Sequence, residues 1–440
     1  MRPSRAVPSP STKGSRPLGV PILASILILA GIAIFLFIRK PASALAMDAG
    51  KWGDDLTTLA HELPKRHVAP DTERPVAAFE ADVESVRTRI PSLTRDQIVL
   101  EMVRLAATFG DSHTEISLAQ PSVGFHRFPL GLYFFGDDLR VVATDSEHRA
   151  LLGTRLVAVG QCLVPAALDR LRPMVSDDFG NPYEIRHSGP ALLTIPEVLG
   201  GLGIVQEGQP VRYRFESDAG GDQEASFNAL PFDGAVAAMT ERVLDTTSGP
   251  LFVRNRDDWQ FFAPVPNSHL LYVRLNRSLD QPGHESLAEF TKRVGDAIAT
   301  GAYSTVLVDL RQDPGGNFHK TEPLNDLLKQ AVTHHSIQHI YVGLGRHTYS
   351  AAILLAAGLK HDCGAIFAGE TPRAVPNHQA DVEDFELPNS RIKVSCSVKL
   401  WRPFPELGDA RTIPIDVPAP WTWEDYRAGR DPVLSAVLTH

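Results

Sequence analysis

Residues 304–317 read STVLVDLRQDPGGN. The run TVLVD is short, apolar and β-branched, the pattern of a strand buried on both faces. It stops at Pro314, Gly315 and Gly316, where adjacent glycines let the backbone turn sharply and present N–H groups to a ligand, as an anion or oxyanion hole requires. Outward from this strand the pattern alternates. HLLYVRLN (269–276), QHIYVGLG (338–345) and GAIFAGE (364–370) are strands, and HESLAEFTKRVGDAIATG (284–301), TEPLNDLLKQAVT (321–333) and SAAILLAAGLK (350–360) are helices. Strands separated by helices imply β-α-β units and a helix-covered sheet over about 250–440. In such sheets functional groups collect where strand ends turn into helix starts.

Ser350 stands at such a place, in GLGRHTYSAAIL (343–354). A hydroxyl at a helix start either caps orphan N–H groups or acts as a nucleophile in their positive field. A second polar turn, GDSHTEI (110–116), follows a helical pattern and supplies His113, with Ser112 beside it to orient the ring. His347 is a rival base, but three residues before Ser350 across a turn it points elsewhere. Asp309 and Arg311 read as structural.

Upstream, AAFEADVESVRTRI (77–90) and TRDQIVLEMVRLAATFG (94–110) carry helical spacing, the second behind a Thr94 cap, and define a helical segment over 49–120. From 121 to 240 short strands follow, among them LGLYFF, LRVVATD, TRLVAVG and VRYRFES, which predict a small β module. The amino terminus differs from all of this. Residues 1–16 form a basic tail, and 17–38, PLGVPILASILILAGIAIFLFI, carry no charge over 22 residues, enough for a membrane-spanning helix. Four basic residues precede that span, so the positive-inside rule leaves the tail in the cytoplasm and exports the rest, on the periplasmic or extracellular side. The apolar run is too long for a signal peptide, which favours an uncleaved anchor over cleavage after Ala46.

The first 46 residues hold six of the 43 basic residues and no acidic one, which leaves 37 basic against 52 acidic beyond them. That balance excludes nucleic acid as partner. Cys162, Cys363 and Cys396 are too few and scattered for a disulfide framework or zinc cluster, although Cys363 and Cys396 could form one bridge.

In this order, GDSHT, LGTRLVAVGQ, VLVDLRQDPGGN, GRHTYSAA, GETP, LPNS and GRDPVL resemble the carboxyl-terminal processing (tail-specific) serine peptidases over about 49–440. The resemblance implies an α/β, crotonase-like catalytic domain and a PDZ-like β module. It implies Ser350 as nucleophile, backbone amides near Gly315, Gly316 and Ala351 holding the oxyanion, a polypeptide substrate, and no cofactor or metal. Where the processing branch carries its lysine base, this chain has Val375 within GETPRAV. The tricorn-core branch uses a Ser-His dipeptide instead, and Ser112-His113 matches it. A histidine of ordinary pKa near 6.5 takes a serine proton without the desolvation a lysine needs. Glu370, Glu406, Asp409 and Asp416 are the carboxylates considered for orienting the ring, and Lys320 and Lys360 the substitute bases. A non-catalytic peptide- or ligand-binding protein on the same fold is the competing expectation.

Overall fold

The computed structural model describes residues 47–69, 75–178, 180–255 and 257–440. The chain divides into two units, Met1–Asp48 and Ala49–His440. The apolar stretch 17–38 and the basic tail lie outside the described residues. Among the described residues no helix is long and apolar enough to cross a membrane.

The second unit begins with three helices, α1 (Ala49–Arg66), α2 (Val76–Arg89) and α3 (Arg95–Ala107). Thr94 does cap α3, in a full capping box with Gln97. An antiparallel sheet follows, β1 (Leu130–Phe135), β2 (Asp138–Thr144), β3 (Arg155–Val159), β4 (Tyr213–Glu216) and β5 (Asp222–Ala225), adjacent in that order. Helix α4 (Glu184–Leu192) lies between β3 and β4 in the chain.

The larger sheet has six strands in the order β6 (Gln260–Pro264), β7 (Leu270–Leu275), β8 (Thr305–Asp309), β9 (His339–Leu344), β10 (Ile366–Gly369) and β13 (Val417–Pro418). Only the first pair is antiparallel. Helices α5 (Leu287–Ile298), α6 (Glu322–Thr333) and α7 (Ala351–Cys363) are the crossovers between the parallel strands β7 to β10. The hairpin β11 (His378–Glu386) and β12 (Lys393–Trp401) stands apart as a two-stranded sheet, and α8 (Pro432–Thr439) ends the chain.

Both faces of the large sheet are buried, as the unbroken apolar strands predict. Val273, Val308 and Val342 pack with Phe290, Leu328 and Ile353 of α5, α6 and α7. Tyr272, Leu307 and Tyr341 face the other way, against Trp421 and Val433. Helix α7 is apolar almost all round, with eight buried residues, so it is fixed by packing and its first residue is held firmly. Asp309 and Arg311 are structural: the buried Arg311 guanidinium bridges Asp309 at 2.6 Å and Asp431, the cap of α8, at 2.7 Å. The Cys363–Cys396 bridge that the sequence allowed does not form: all three cysteines are free, and Cys396 is buried in β12. Burial pushes its thiol up to about 12.

Candidate active site

Ser350 lies between β9 and α7 at φ 54° and ψ −125°, a conformation that L-residues rarely adopt. Packing enforces it. Thr348 Oγ1 donates to the Leu310 carbonyl at 2.8 Å and accepts from the Gly345 amide at 3.0 Å, and the Tyr349 amide donates to the Asp313 carbonyl at 3.1 Å. The Ser350 hydroxyl caps nothing at the start of α7. The capping alternative is thereby removed. A partly exposed serine on a strained strand-to-helix turn is the geometry of an elbow that presents a nucleophile.

The QDPGGN loop closes against that turn. Gly315 (φ 98°) comes so near that a Cβ there would lie 2.6 Å from the Ser350 Cβ and 2.9 Å from the Ala351 amide nitrogen. A Cβ on Gly316 (φ 151°) would lie 2.5 Å from the Ser278 carbonyl oxygen. Asp313, fully buried, accepts from the Ser278 hydroxyl at 2.7 Å and from the Gly315 amide at 2.8 Å. The Gly315 amide is thus committed to Asp313, and the glycine serves as the point of close approach instead of as a donor. Among the described residues the amides of Gly316 and Ala351 donate no hydrogen bond. Burial pushes the Asp313 carboxyl up to about 7.

The GDSHT turn reaches the same region, built around the buried Asp111. Burial opposes its charge, yet hydrogen bonds from His67, Thr114 and Ser397 hold its carboxyl below the usual range. It also accepts the His113 amide at 2.9 Å, which fixes the turn. The His113 Nδ1 hydrogen-bonds the Tyr349 hydroxyl at 2.6 Å, while its Nε2 is buried and reaches no hydrogen-bond geometry, although the Gln379 backbone favours the charged form of the ring. The Tyr349 hydroxyl also meets Ser112 Oγ at 2.5 Å, and Ser112 donates to Asp178 Oδ1 at 2.7 Å. His113 therefore connects through two hydroxyls to a carboxylate. No hydrogen bond joins His113 to Ser350; the ring is held by the residue just before the serine.

Burial pushes His113 down to about 3, reinforced by His378 and Arg373, so the imidazole is neutral well below its ordinary value near 6.5. Burial likewise pushes Asp178 up to about 7, against its hydrogen bonds from Ser112. His378 is pushed to about 4 by burial; the carbonyls of Pro376 and Val375 favour its charged form without reaching hydrogen-bond geometry.

The other sequence candidates are engaged elsewhere. His347 packs against His187 at 4.9 Å and Tyr133 at 6.5 Å. Lys320 pairs with Asp280 at 2.6 Å and Lys360 with Asp416 at 2.7 Å. Glu370 holds Arg346 at 2.9 Å, Glu406 lies 3.9 Å from His361, and Asp409 is exposed. None of these four carboxylates contacts the His113 ring; Asp178, which carried no local signal in SDDFG, is the one linked to it. Tyr349 was visible in the sequence only as part of TYS, and His378 and Asp313 only as neighbours of marked residues. Among the described residues no group of three or more His, Cys, Asp or Glu side chains could hold a metal ion.

No protein-family model and no curated protein sequence matches the chain. Solved structures do. The structure of mature CPAF complexed with lactacystin superposes with a TM-score of 0.63 at 11% identity, covering 89% of this chain and 97% of that one. A second mature CPAF structure gives 0.59 at 11% identity, over 87% and 94%. The photosystem II D1 C-terminal processing protease gives 0.43 at 14% identity, over 88% and 96%. The CPAF likeness spans nearly both chains and establishes a shared mixed α/β fold.

Proposed function

We propose that the chain is a serine endopeptidase that cleaves polypeptides through an acyl-enzyme at Ser350. The observation that carries this reading is the strained, uncapped hydroxyl at the first turn of α7, beside two amides that donate to nothing. Ser350 Oγ attacks the scissile carbonyl carbon, and His113 Nε2 takes its proton. The developing oxyanion lies at the Gly316 and Ala351 amides, helped by the positive end of α7. The C–N bond breaks as His113 returns the proton to the leaving amine, and a water then hydrolyses the ester by the reverse proton path. Ser112, Tyr349 and Asp178 take the part of the orienting carboxylate. A donor sequence running His113 Nδ1–H to Tyr349, Tyr349 to Ser112 and Ser112 to Asp178 leaves Nε2 with its lone pair free. Catalytic hydrogen bonds in an unliganded site commonly tighten only in the complex, so the Ser350–His113 bond is one that substrate binding completes.

The likeness of folds supports reading the large sheet with its helices as crotonase-like and the five-strand antiparallel core as PDZ-like. The pairing of Ser112 and His113, with Val375 where a lysine would stand, favours the Ser/His over the Ser/Lys branch. The uncharged stretch 17–38 supports a single-span anchor with the peptidase exported. The absence of a hydrogen bond between His113 and Ser350 and of a lysine at position 375 favours a non-catalytic binder as the alternative. Fluorophosphonate labelling decides between them. Ser350 should label in the wild type and not in Ser350→Ala, and His113→Ala should lower peptide cleavage by about 100-fold or more. A wild type that neither labels nor cleaves would establish the binder.

A further inference from the structure

A buried histidine that the proposed chemistry leaves unused packs against the base. His378 opens β11, is 1% exposed, and neither ring nitrogen has a hydrogen-bond partner. Leucine or phenylalanine would fill the volume without stranding two polar atoms, so an imidazole is an expensive choice for packing alone. Its plane lies 9° from that of His113, with centroids 5.8 Å apart, and Tyr349 lies 20° from His113 at 4.4 Å. Three rings therefore run nearly parallel, at separations where offset stacking is favourable. The bond from Nδ1 to the Tyr349 hydroxyl pins one atom of His113, and the Tyr349 ring bears on its plane at 4.4 Å. His378 adds a second flat ring, closer to parallel, that restrains the same plane further.

We infer that His378 is a positioning residue: its ring face sets the plane of His113 and so the direction in which Nε2 points. The inference rests on the reading of Ser350 and His113 as nucleophile and base. It assigns a task to the segment that, in the resembled processing branch, delivers a lysine; here that segment carries Val375 and, three residues on, His378.

The test uses His378→Leu, which fills the space without a flat ring, and His378→Phe, which keeps the ring and discards the nitrogens. Fluorophosphonate labelling of Ser350 should slow about tenfold or more in the leucine variant, because small misplacements of a reacting group cost rate steeply, and return to within about threefold of wild type in the phenylalanine variant. The ring resonances of His113, followed by NMR in a Ser350→Ala background, should shift with leucine and return towards their wild-type positions with phenylalanine. Equal labelling in all three proteins, or a phenylalanine variant as slow as leucine, overturns the inference and leaves the peptidase reading standing. A wild type that never labels while the His113 resonances respond as expected overturns the peptidase reading instead, and with it any catalytic meaning of the stack.

Discussion

At Ser350 the backbone is held at φ 54° while the hydroxyl bonds to nothing in the helix it begins, so the residue bears the strain of its position without the stabilisation of a cap. Strain of this kind costs about 1–3 kcal/mol, and glycine relieves it at about 0.5–1 kcal/mol of chain entropy. Ser350→Gly should therefore abolish peptide cleavage and raise unfolding stability by about 1 kcal/mol; a clear loss in denaturant titration would show that the hydroxyl supports the fold. The buried titrating groups make a second prediction. The folded Asp178 carboxyl sits at about 7, above an unfolded value of about 3.9. Between those values the native chain holds a proton the unfolded chain has released, so the destabilisation this carboxyl causes above pH 7 fades on acidification. Asp313 behaves alike. His113 and His378, at about 3 and about 4, run the other way: the unfolded chain protonates first below ~6.5, and folding weakens as pH falls. Two carboxyls and two imidazoles nearly cancel between pH ~4 and ~6.5. Asp178→Asn removes one compensating proton, and its stability relative to wild type should fall by about 1.4 kcal/mol per pH unit as pH drops from about 7 to about 4. Parallel stability curves would mean an Asp178 of ordinary acidity.

Between elements, the contact that assembles the site is the approach of the β8 loop to the start of α7. The rows of β-branched residues in STVLVDLR and the apolar SAAILLAAGLK announced both elements, and the two glycines announced a turn. What they could not announce is that Gly315 lies within a Cβ's reach of Ser350, because that depends on β8 and β9 being parallel neighbours with Asp309 level with Gly343. Gly315→Ala would set a methyl 2.8 Å from the Tyr349 carbonyl oxygen, at a φ of 98°. The expected result is a loss of about 2 kcal/mol or more in stability together with loss of Ser350 labelling. An alanine variant that labels normally would place the nucleophile's support elsewhere.

For the molecule as a whole, the segment 49–440 has its own core on both faces of the large sheet. A chain starting at Met47 should therefore stay in the soluble fraction and unfold at the same temperature as the full chain, while the full chain should sediment with membranes. A short chain that aggregates would show that the amino-terminal residues also serve the fold. The sequence by itself determined the β-α-β alternation, the helical start, the Thr94 cap and the marked serine, glycines and Ser-His pair, since each follows from local periodicity, turn chemistry or side-chain type. It also led His113 to be read with an ordinary pKa near 6.5 and four downstream carboxylates to be weighed as its partner. Only the tertiary structure decided otherwise. Burial is a property of the whole packing, and it moves His113 to about 3. The link to Asp178 passes from residue 178 through 112 and 349 to 113, and the stack adds 378. No local pattern encodes such a set, because its members meet only once the helical start, the antiparallel sheet and the large sheet have packed together.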